Sequence, residues 1–164
     1  MYKEMKRFIT YIAVAFLAVA GLSSCETYGN YSKDMSPIYP LCGEWASTVT
    51  DQTAGTSFTT YVVTSDVAAK TTTDMWVVIN TGDENGTKCK IQCDVKSLTF
   101  SGSGPNTLEG GTSTITDGKV VVDGATPPSG GKADYMEMTY TSSVTGHTYK
   151  ITGFRRTFQP GDEL

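Results

Sequence analysis

Hydrolysis is the first chemistry to test against this sequence, and the residues for it are sparse. The reaction needs a nucleophile activated by a base, and a group that stabilises an oxyanion. His147 is the single histidine of the chain, and it lies in a predicted hairpin turn, where exposure to solvent is the more common role. The stretch SGSGP (Ser101–Pro105) lacks the strand–turn–helix context of a nucleophile elbow. The sequence therefore predicts no catalytic residue.

Paired carboxylates could supply acid–base catalysis instead. Two adjacent pairs occur, Asp83–Glu84 and Asp162–Glu163. Each lies in a predicted loop or in the C-terminal tail, where runs of charge are usually solvated. Neither pair indicates an active site, and the sequence indicates no cofactor.

The N-terminal segment has the organisation of a secretory signal peptide. Basic residues precede an apolar run from Phe8 to Leu22, which is shorter than the ~20 residues that cross a bilayer comfortably. The run ends in LSSC (22–25), which resembles the bacterial lipobox. Cys25 is therefore predicted to carry acyl chains such as palmitate and to begin the mature protein. Each buried acyl methylene adds about 0.8 kcal/mol to membrane binding, so we expect anchoring without a membrane-spanning segment.

Cleavage before Cys25 leaves a chain long enough for one domain. We expect residues 1–24 to be a lipoprotein signal peptide, 25–36 the lipidated cysteine with a flexible tether, and 37–164 a single folded domain. Cleavage removes three of the 13 basic and one of the 17 acidic residues, which leaves a net charge of −6. An acidic chain without a basic cluster argues against nucleic acid as a partner.

The remaining cysteines do not form a recognisable metal site. Cys89 and Cys93 are four residues apart, a spacing that matches no zinc site. In a strand they would lie roughly 13 Å apart, at ~3.3 Å per residue, which is too far for a mutual disulfide. An oxidising compartment favours pairing, so we consider a disulfide of Cys42 with Cys89 or Cys93, with free thiols as the alternative. No metal is expected.

Composition and patterning predict an all-β fold. The chain is rich in threonine and glycine, which favour strands and turns. Short turns such as TDGK and SVTG join antiparallel neighbours. The nine strand-like runs are Glu44–Thr50, Ser57–Thr64, Met75–Asn80, Lys88–Val95, Leu98–Ser101, Thr112–Thr116, Lys119–Asp123, Tyr135–Ser143 and His147–Thr157. This meander fits an up-and-down barrel or a curved sandwich.

Alternation along the strands predicts which side chains face inward. About eight strands enclose an interior just large enough for side chains or for one small ligand. The inward residues that could line a cavity are Ile91, Met136, Met138, Tyr140, Tyr149 and Ile151. The sequence leaves open whether that interior is hollow or filled.

Gly43-Glu44-Trp45 begins the first predicted strand. It resembles the Gly-x-Trp signature of lipocalins and the wider calycin group, in which the Trp caps one end of the barrel beneath an Arg from the last strand. This resemblance implies a calycin-like (lipocalin-like) antiparallel up-and-down β-barrel of about eight strands. Arg155 and Arg156 are the two candidates, and Arg155 is preferred because it shares a face with Tyr149. Arg155 could alternatively hold the carboxylate of a ligand.

Three features narrow the resemblance from the calycin group to one family. They are the lipobox, the short tether, and the segment SPIYPLCGEW (36–45) before a Thr-rich β domain. Together they resemble the bacterial lipoproteins called lipid-binding putative hydrolases. The resemblance implies an outer-membrane lipoprotein that binds a lipid or other small apolar ligand, and it carries no catalytic residue onto this chain. The alternative is a closed barrel that acts as a structural or interaction module with an envelope protein partner, and an esterase is less favoured. The choice between periplasmic and surface exposure stays open.

Overall fold

The computed structural model describes residues 35–79 and 86–164. The predicted signal peptide, the predicted acylation site Cys25 and nearly all of the predicted tether lie outside the described residues, as does the pair Asp83–Glu84. In the parts that are described, no helix is long and apolar enough to cross a membrane.

Eight antiparallel strands close into a barrel, which confirms the predicted fold class. Each strand pairs with the next along the chain, and the last pairs with the first to complete the ring. A 3₁₀ turn, Tyr39–Leu41, precedes the first strand. The strands are β1 (Gly43–Asp51), β2 (Ser57–Asp66), β3 (Asp74–Ile79), β4 (Thr87–Asp94), β5 (Thr99–Pro105), β6 (Thr112–Ala125), β7 (Ala133–Ser142) and β8 (Thr148–Arg155).

The predicted hairpin at TDGK is wrong. The two expected strands, Thr112–Thr116 and Lys119–Asp123, are one continuous strand, β6, whose register against β7 shifts at this point. Asp117 has a left-handed backbone conformation, with φ of 54°. Gly118 packs flat against the ring of Phe100, where a Cβ atom would collide. The Asp-Gly chemistry that often forms a turn therefore forms a β-bulge here.

Another glycine-rich stretch, which the predicted strand-like runs leave between Ser101 and Thr112, is also largely part of a strand. The stretch Ser101–Pro105 forms most of β5 and pairs with β6. A Cβ atom on Gly104 would lie 2.7 Å from the carbonyl oxygen of Lys90. Glycine in this strand therefore marks a close approach of two backbones rather than a turn.

Alternation divides the inner wall from the outer wall. In β4, Cys89 and Ile91 are buried, while Lys88, Lys90 and Gln92 are exposed. The inward side chains of all eight strands form one apolar core. Its fully buried members include Trp45, Val62, Met75, Val77, Ile79, Ile115, Met136, Met138 and Ile151.

The two ends of the barrel differ. At the sealed end, where β1 begins and β8 ends, Ile38 and Leu41 of the N-terminal segment join the core together with Trp45. The opposite end, which we call the mouth, is formed among the described residues by the turns 52–56, 106–111 and 143–147. The mouth has no comparable plug among the described residues.

Candidate functional site

Trp45 and Arg155 close the sealed end from adjacent strands. They lie directly opposite each other in the pairing of β1 with β8, and the guanidinium carbon of Arg155 lies 4.6 Å from the centre of the indole ring. Trp45 is fully buried, and its Nε1–H donates to the hydroxyl of Thr64 at 2.8 Å. A cation over an aromatic face contributes about 0.5–2 kcal/mol. The pair therefore joins the first and last strands.

All three nitrogens of the Arg155 guanidinium bind protein groups. Nε donates to Oδ2 of Asp134 at 2.9 Å, Nη2 donates to the carbonyl oxygen of Pro40 at 2.9 Å, and Nη1 donates to the carbonyl oxygen of Cys42. Those carbonyls belong to the segment that enters β1. This geometry suits a brace for the sealed end better than a site for a ligand carboxylate.

Gly43 is needed for the same contact. A Cβ atom at this position would lie 2.5 Å from Nη1 of Arg155 and 3.4 Å from Cε2 of Trp45. Real Cβ atoms do not approach other atoms so closely, so any other residue would push the guanidinium off the indole. The Gly and the Trp of Gly-x-Trp thus serve one arrangement.

Arg156 lies on the outer wall and has a different role. Its Nη1 donates to both carboxylate oxygens of Glu44 at 3.1 Å, and its guanidinium lies 4.8 Å from the ring centre of Tyr61. It also pairs with Glu163 of the C-terminal tail. Arg156 therefore fastens the tail to β1 and β2 and does not contact Trp45.

The C-terminal carboxylates are occupied in the same way. Asp162 accepts hydrogen bonds from the amide and the hydroxyl of Ser129, both at 2.7 Å. Glu163 accepts one from the hydroxyl of Tyr61 at 2.8 Å. These contacts hold the tail against the barrel and leave the pair unsuited to acid–base chemistry.

The disulfide considered between Cys42 and Cys89 or Cys93 is not formed, and all three are free thiols. Cys89 faces the interior, and burial raises the pKa of its thiol to about 11. Cys42 contacts the hydroxyl of Ser36 at 3.9 Å, whereas Cys93 contacts the carbonyl oxygen of Thr72 at 4.0 Å. Burial also raises the pKa of both of these thiols. Disulfide formation needs a thiolate, which none of these sites favours.

Side chains fill the interior. The six residues predicted to line a cavity all face inward, and five of them are at most 6 % exposed: Ile91, Met136, Met138, Tyr140 and Ile151. Tyr149 is half-buried and lies nearest to the mouth. A ligand in this barrel would have to displace these side chains. Methionine is suited to such movement, because it is unbranched and has three rotatable bonds.

Aromatic and aliphatic side chains surround the mouth. Tyr140 and Tyr149 stack with their ring centres 5.5 Å apart and their planes at 18°. Phe58, opposite the inward residue Val49, is 37 % exposed. Leu108 and Val144 project from two of the turns and are more than half exposed. The mouth is thus the part of the inner wall where apolar groups meet solvent.

Asp51 and His147 pair at the mouth. Nδ1 of His147 lies 2.7 Å from Oδ2 of Asp51, and Oδ1 of Asp51 accepts hydrogen bonds from the amides of Thr53 and Ala54. Burial alone would raise the pKa of Asp51, but the hydrogen bonds from Ala54, His147 and Thr53 outweigh it and lower that pKa. The carboxylate of Asp51 is therefore charged at neutral pH, and it joins turn 52–56 to turn 143–147.

The Asp51–His147 pair has two of the three parts of a hydrolytic triad. The contact through Nδ1 leaves Nε2 of His147 able to exchange a proton. Within residues 35–79 and 86–164, however, no serine hydroxyl is hydrogen-bonded to that ring. Nor do three or more His, Cys, Asp or Glu side chains come together there to hold a metal ion. Among the described residues, therefore, no nucleophile completes the pair.

Four hydroxyl groups from β4, β6 and β7 lie near the mouth. The Thr87 hydroxyl donates to the Tyr140 hydroxyl at 2.7 Å, and the Ser142 hydroxyl accepts from the Val144 amide at 3.2 Å. Ser113 lies opposite Ser142 on β6 and is fully buried. Its Oγ makes no hydrogen bond of normal geometry, although it lies close enough to the Cys89 thiol to oppose the rise that burial gives that thiol's pKa. Because buried hydroxyls almost always have a partner, this one marks a position where a polar group could bind.

Comparison with known families agrees with this geometry. The model of the family described as lipid-binding putative hydrolase matches residues 30–159. The chain belongs to this family. No curated protein matches it. A closed barrel with an apolar interior fits the lipid binding that this family's description names.

Sequence reasoning did not bring Asp51 and His147 together, although the register of the two end strands indicates their pairing. If Trp45 meets Arg155, counting six residues forward along β1 and six back along β8 reaches Asp51 and Tyr149, which are opposite each other. His147 is two residues before Tyr149. Register counting from the sealed end would therefore have placed the histidine at the mouth beside an aspartate.

Proposed function

We propose that this protein is an outer-membrane lipoprotein, anchored through acylated Cys25, whose barrel binds a lipid or another small apolar molecule through the mouth. Family membership supports the ligand class. The lipobox-like segment and the signal-peptide pattern support the anchor.

The change in polarity along the inner wall carries the proposal for binding. Met75, Met136 and Met138 occupy the deep part of the barrel and are fully buried. The hydroxyls of Thr87 and Ser113 lie nearer to the mouth, and Phe58, Leu108 and Val144 surround the opening. Binding sites for amphiphiles combine an apolar wall with a few polar groups. An acyl chain would take the place now filled by methionine side chains.

Binding can be measured with N-phenyl-1-naphthylamine, an uncharged dye that fluoresces in apolar surroundings. We expect saturable uptake by the mature chain, and a several-fold weaker affinity in Val144→Asp, because a charge at the opening disfavours entry of an apolar molecule. Val122→Asp is the matched control, since Val122 is equally exposed but lies on β6 away from the mouth. Absence of uptake, or equal weakening by both variants, would contradict binding through the mouth.

Attachment to the outer membrane can be tested by expressing the chain in its native bacterium and fractionating the cell envelope. We expect the wild-type chain to sediment with outer-membrane vesicles and to gain the mass of its acyl chains. Cys25→Ala should shift the protein to the soluble fraction, and Cys42→Ala should leave it with the membrane. A soluble wild-type protein without added mass would contradict the anchor, and protease protection in whole cells would distinguish periplasmic from surface exposure.

A structural or interaction module is the second candidate, and the outer wall favours it. Val63 on β2 lies opposite Val78 on β3 and is 38 % exposed. Trp76 extends the same face, with Nζ of Lys88 5.2 Å from its ring centre. Such a face could bind an envelope protein. Cross-linking from position 63 in intact envelopes should capture a stoichiometric partner if this candidate is correct, and should capture none if it is not.

A further inference from the structure

The turns that form the mouth carry negative charge and no basic side chain except a histidine. Glu109 lies in turn 106–111, and Asp51 ends β1 beside turn 52–56. Neither of these turns, nor turn 143–147, contains lysine or arginine. His147, the one basic group, is already paired with Asp51.

The negative charges of the mouth act on Tyr149, which lies at the opening. Burial raises the pKa of Tyr149, a hydrogen bond from Thr145 lowers it, and the negative charges of Asp51 and Glu109 raise it. Tyr149 is the half-buried ring at the inner edge of the opening. An anionic group entering beside it would meet the same repulsion.

No other cation is available to offset these charges from within the described interior. Arg155 lies at the sealed end with all three nitrogens engaged. On the outer wall, Lys88 lies over Trp76, and Lys150 pairs with Glu137. A carboxylate or phosphate in the mouth would therefore be desolvated without a partner, which is costly.

An uncharged polar group would find partners instead. The Oγ of Ser113 is fully buried without a hydrogen bond of normal geometry, with the Cys89 thiol beside it, and it can donate one hydrogen bond or accept others. The Tyr140 hydroxyl accepts from Thr87 and, like any phenol, has one proton to donate. An ester carbonyl or an alcohol hydroxyl complements both groups and adds no charge.

We propose that the mouth selects amphiphiles with an uncharged, oxygen-bearing head, such as monoacylglycerols, over free fatty acids and other anionic lipids. This inference rests on the proposed function, because it assumes that the ligand enters the barrel through the mouth. Selectivity then follows from the carboxylates of Asp51 and Glu109 and from the hydroxyls of Ser113 and Tyr140.

The test compares two ligands with the same acyl chain. Monododecanoylglycerol and dodecanoate each compete with N-phenyl-1-naphthylamine for the barrel at pH 8, below their micellar concentrations. The protein is the mature chain with the substitution Cys25→Ala, so that it carries no acyl anchor and no membrane is needed. We expect the glycerol ester to displace the dye at a concentration at least tenfold lower. Equal or better displacement by dodecanoate would overturn the selectivity and leave the binding function intact. Failure of the dye and both ligands to bind would overturn the proposed function and the selectivity together.

Two variants connect the selectivity to the residues named. Glu109→Lys should strengthen dodecanoate binding at least fivefold and leave the glycerol ester unchanged, whereas Thr48→Lys on the exposed outer wall should alter neither. Ser113→Ala should weaken the glycerol ester about three- to tenfold, as expected for one lost hydrogen bond, without weakening the dye. Thermal unfolding of each variant would show that it is folded. An unchanged ligand preference in Glu109→Lys, or unchanged ester affinity in Ser113→Ala, would count against the assignment.

Discussion

Replacing Trp45 with alanine is expected to lower the free energy of unfolding by about 3–5 kcal/mol, the range for large aromatic residues removed from a core. The indole is fully buried. Its Nε1–H donates to Thr64, whose hydroxyl in turn donates to the carbonyl oxygen of Leu41 at 2.6 Å. The substitution leaves a cavity beneath Arg155 and removes the donor to Thr64. Urea denaturation followed by far-UV circular dichroism measures the loss.

Trp76 provides the matched control, because it is the only other tryptophan of the chain. It is half-buried on the outer wall, where Lys88 lies over its ring. Trp76→Ala should cost about 1 kcal/mol, the scale of one cross-strand contact. Equal losses for the two variants would show that Trp45 does not hold the sealed end closed.

Arg155→Met is expected to lower the free energy of unfolding by about 1–3 kcal/mol, the cost of leaving buried or half-buried polar groups without a partner. The carbonyls of Pro40 and Cys42 lose their donors, and Asp134 loses its ion-pair partner. Methionine preserves much of the apolar stem, so the loss reports mainly on the guanidinium. The same urea denaturation measures it.

Arg156→Met is the control for Arg155→Met. Arg156 pairs with Glu44 and Glu163 on the outer wall, and we expect a smaller loss that decreases further at high salt, because surface ion pairs are screened. The double variant Trp45→Ala/Arg155→Met should lose less than the sum of the single losses, since the two side chains are in contact. Strict additivity would argue against the cation–π contact.

The barrel could be predicted because its strands follow simple rules. Cys89 and Ile91 alternate with Lys88 and Lys90 without exception, and a period of two is the signature of a half-buried strand. The short connections required antiparallel neighbours. The contact of Trp45 with Arg155 was expected only from the Gly-x-Trp resemblance, because residues so far apart in sequence show no local pattern.

Other features depended on geometry that local sequence does not encode. The pair Asp117–Gly118 suits a turn and a β-bulge equally well. The bulge depends on Phe100, a residue distant in sequence on which Gly118 packs. The pairing of Asp51 with His147 depends on the register of barrel closure. The filled interior depends on how far the methionine side chains reach, which alternation cannot specify.

The closure of β1 on β8 also determines when the domain can complete its fold. The hydrogen bond from Arg155 to Cys42 joins residues 113 positions apart, so β1 lacks one neighbour until β8 has been synthesised. Contacts between residues so far apart in sequence form late and make folding slower. Trp45 consequently stays without the cover of Arg155 until β8 pairs with β1.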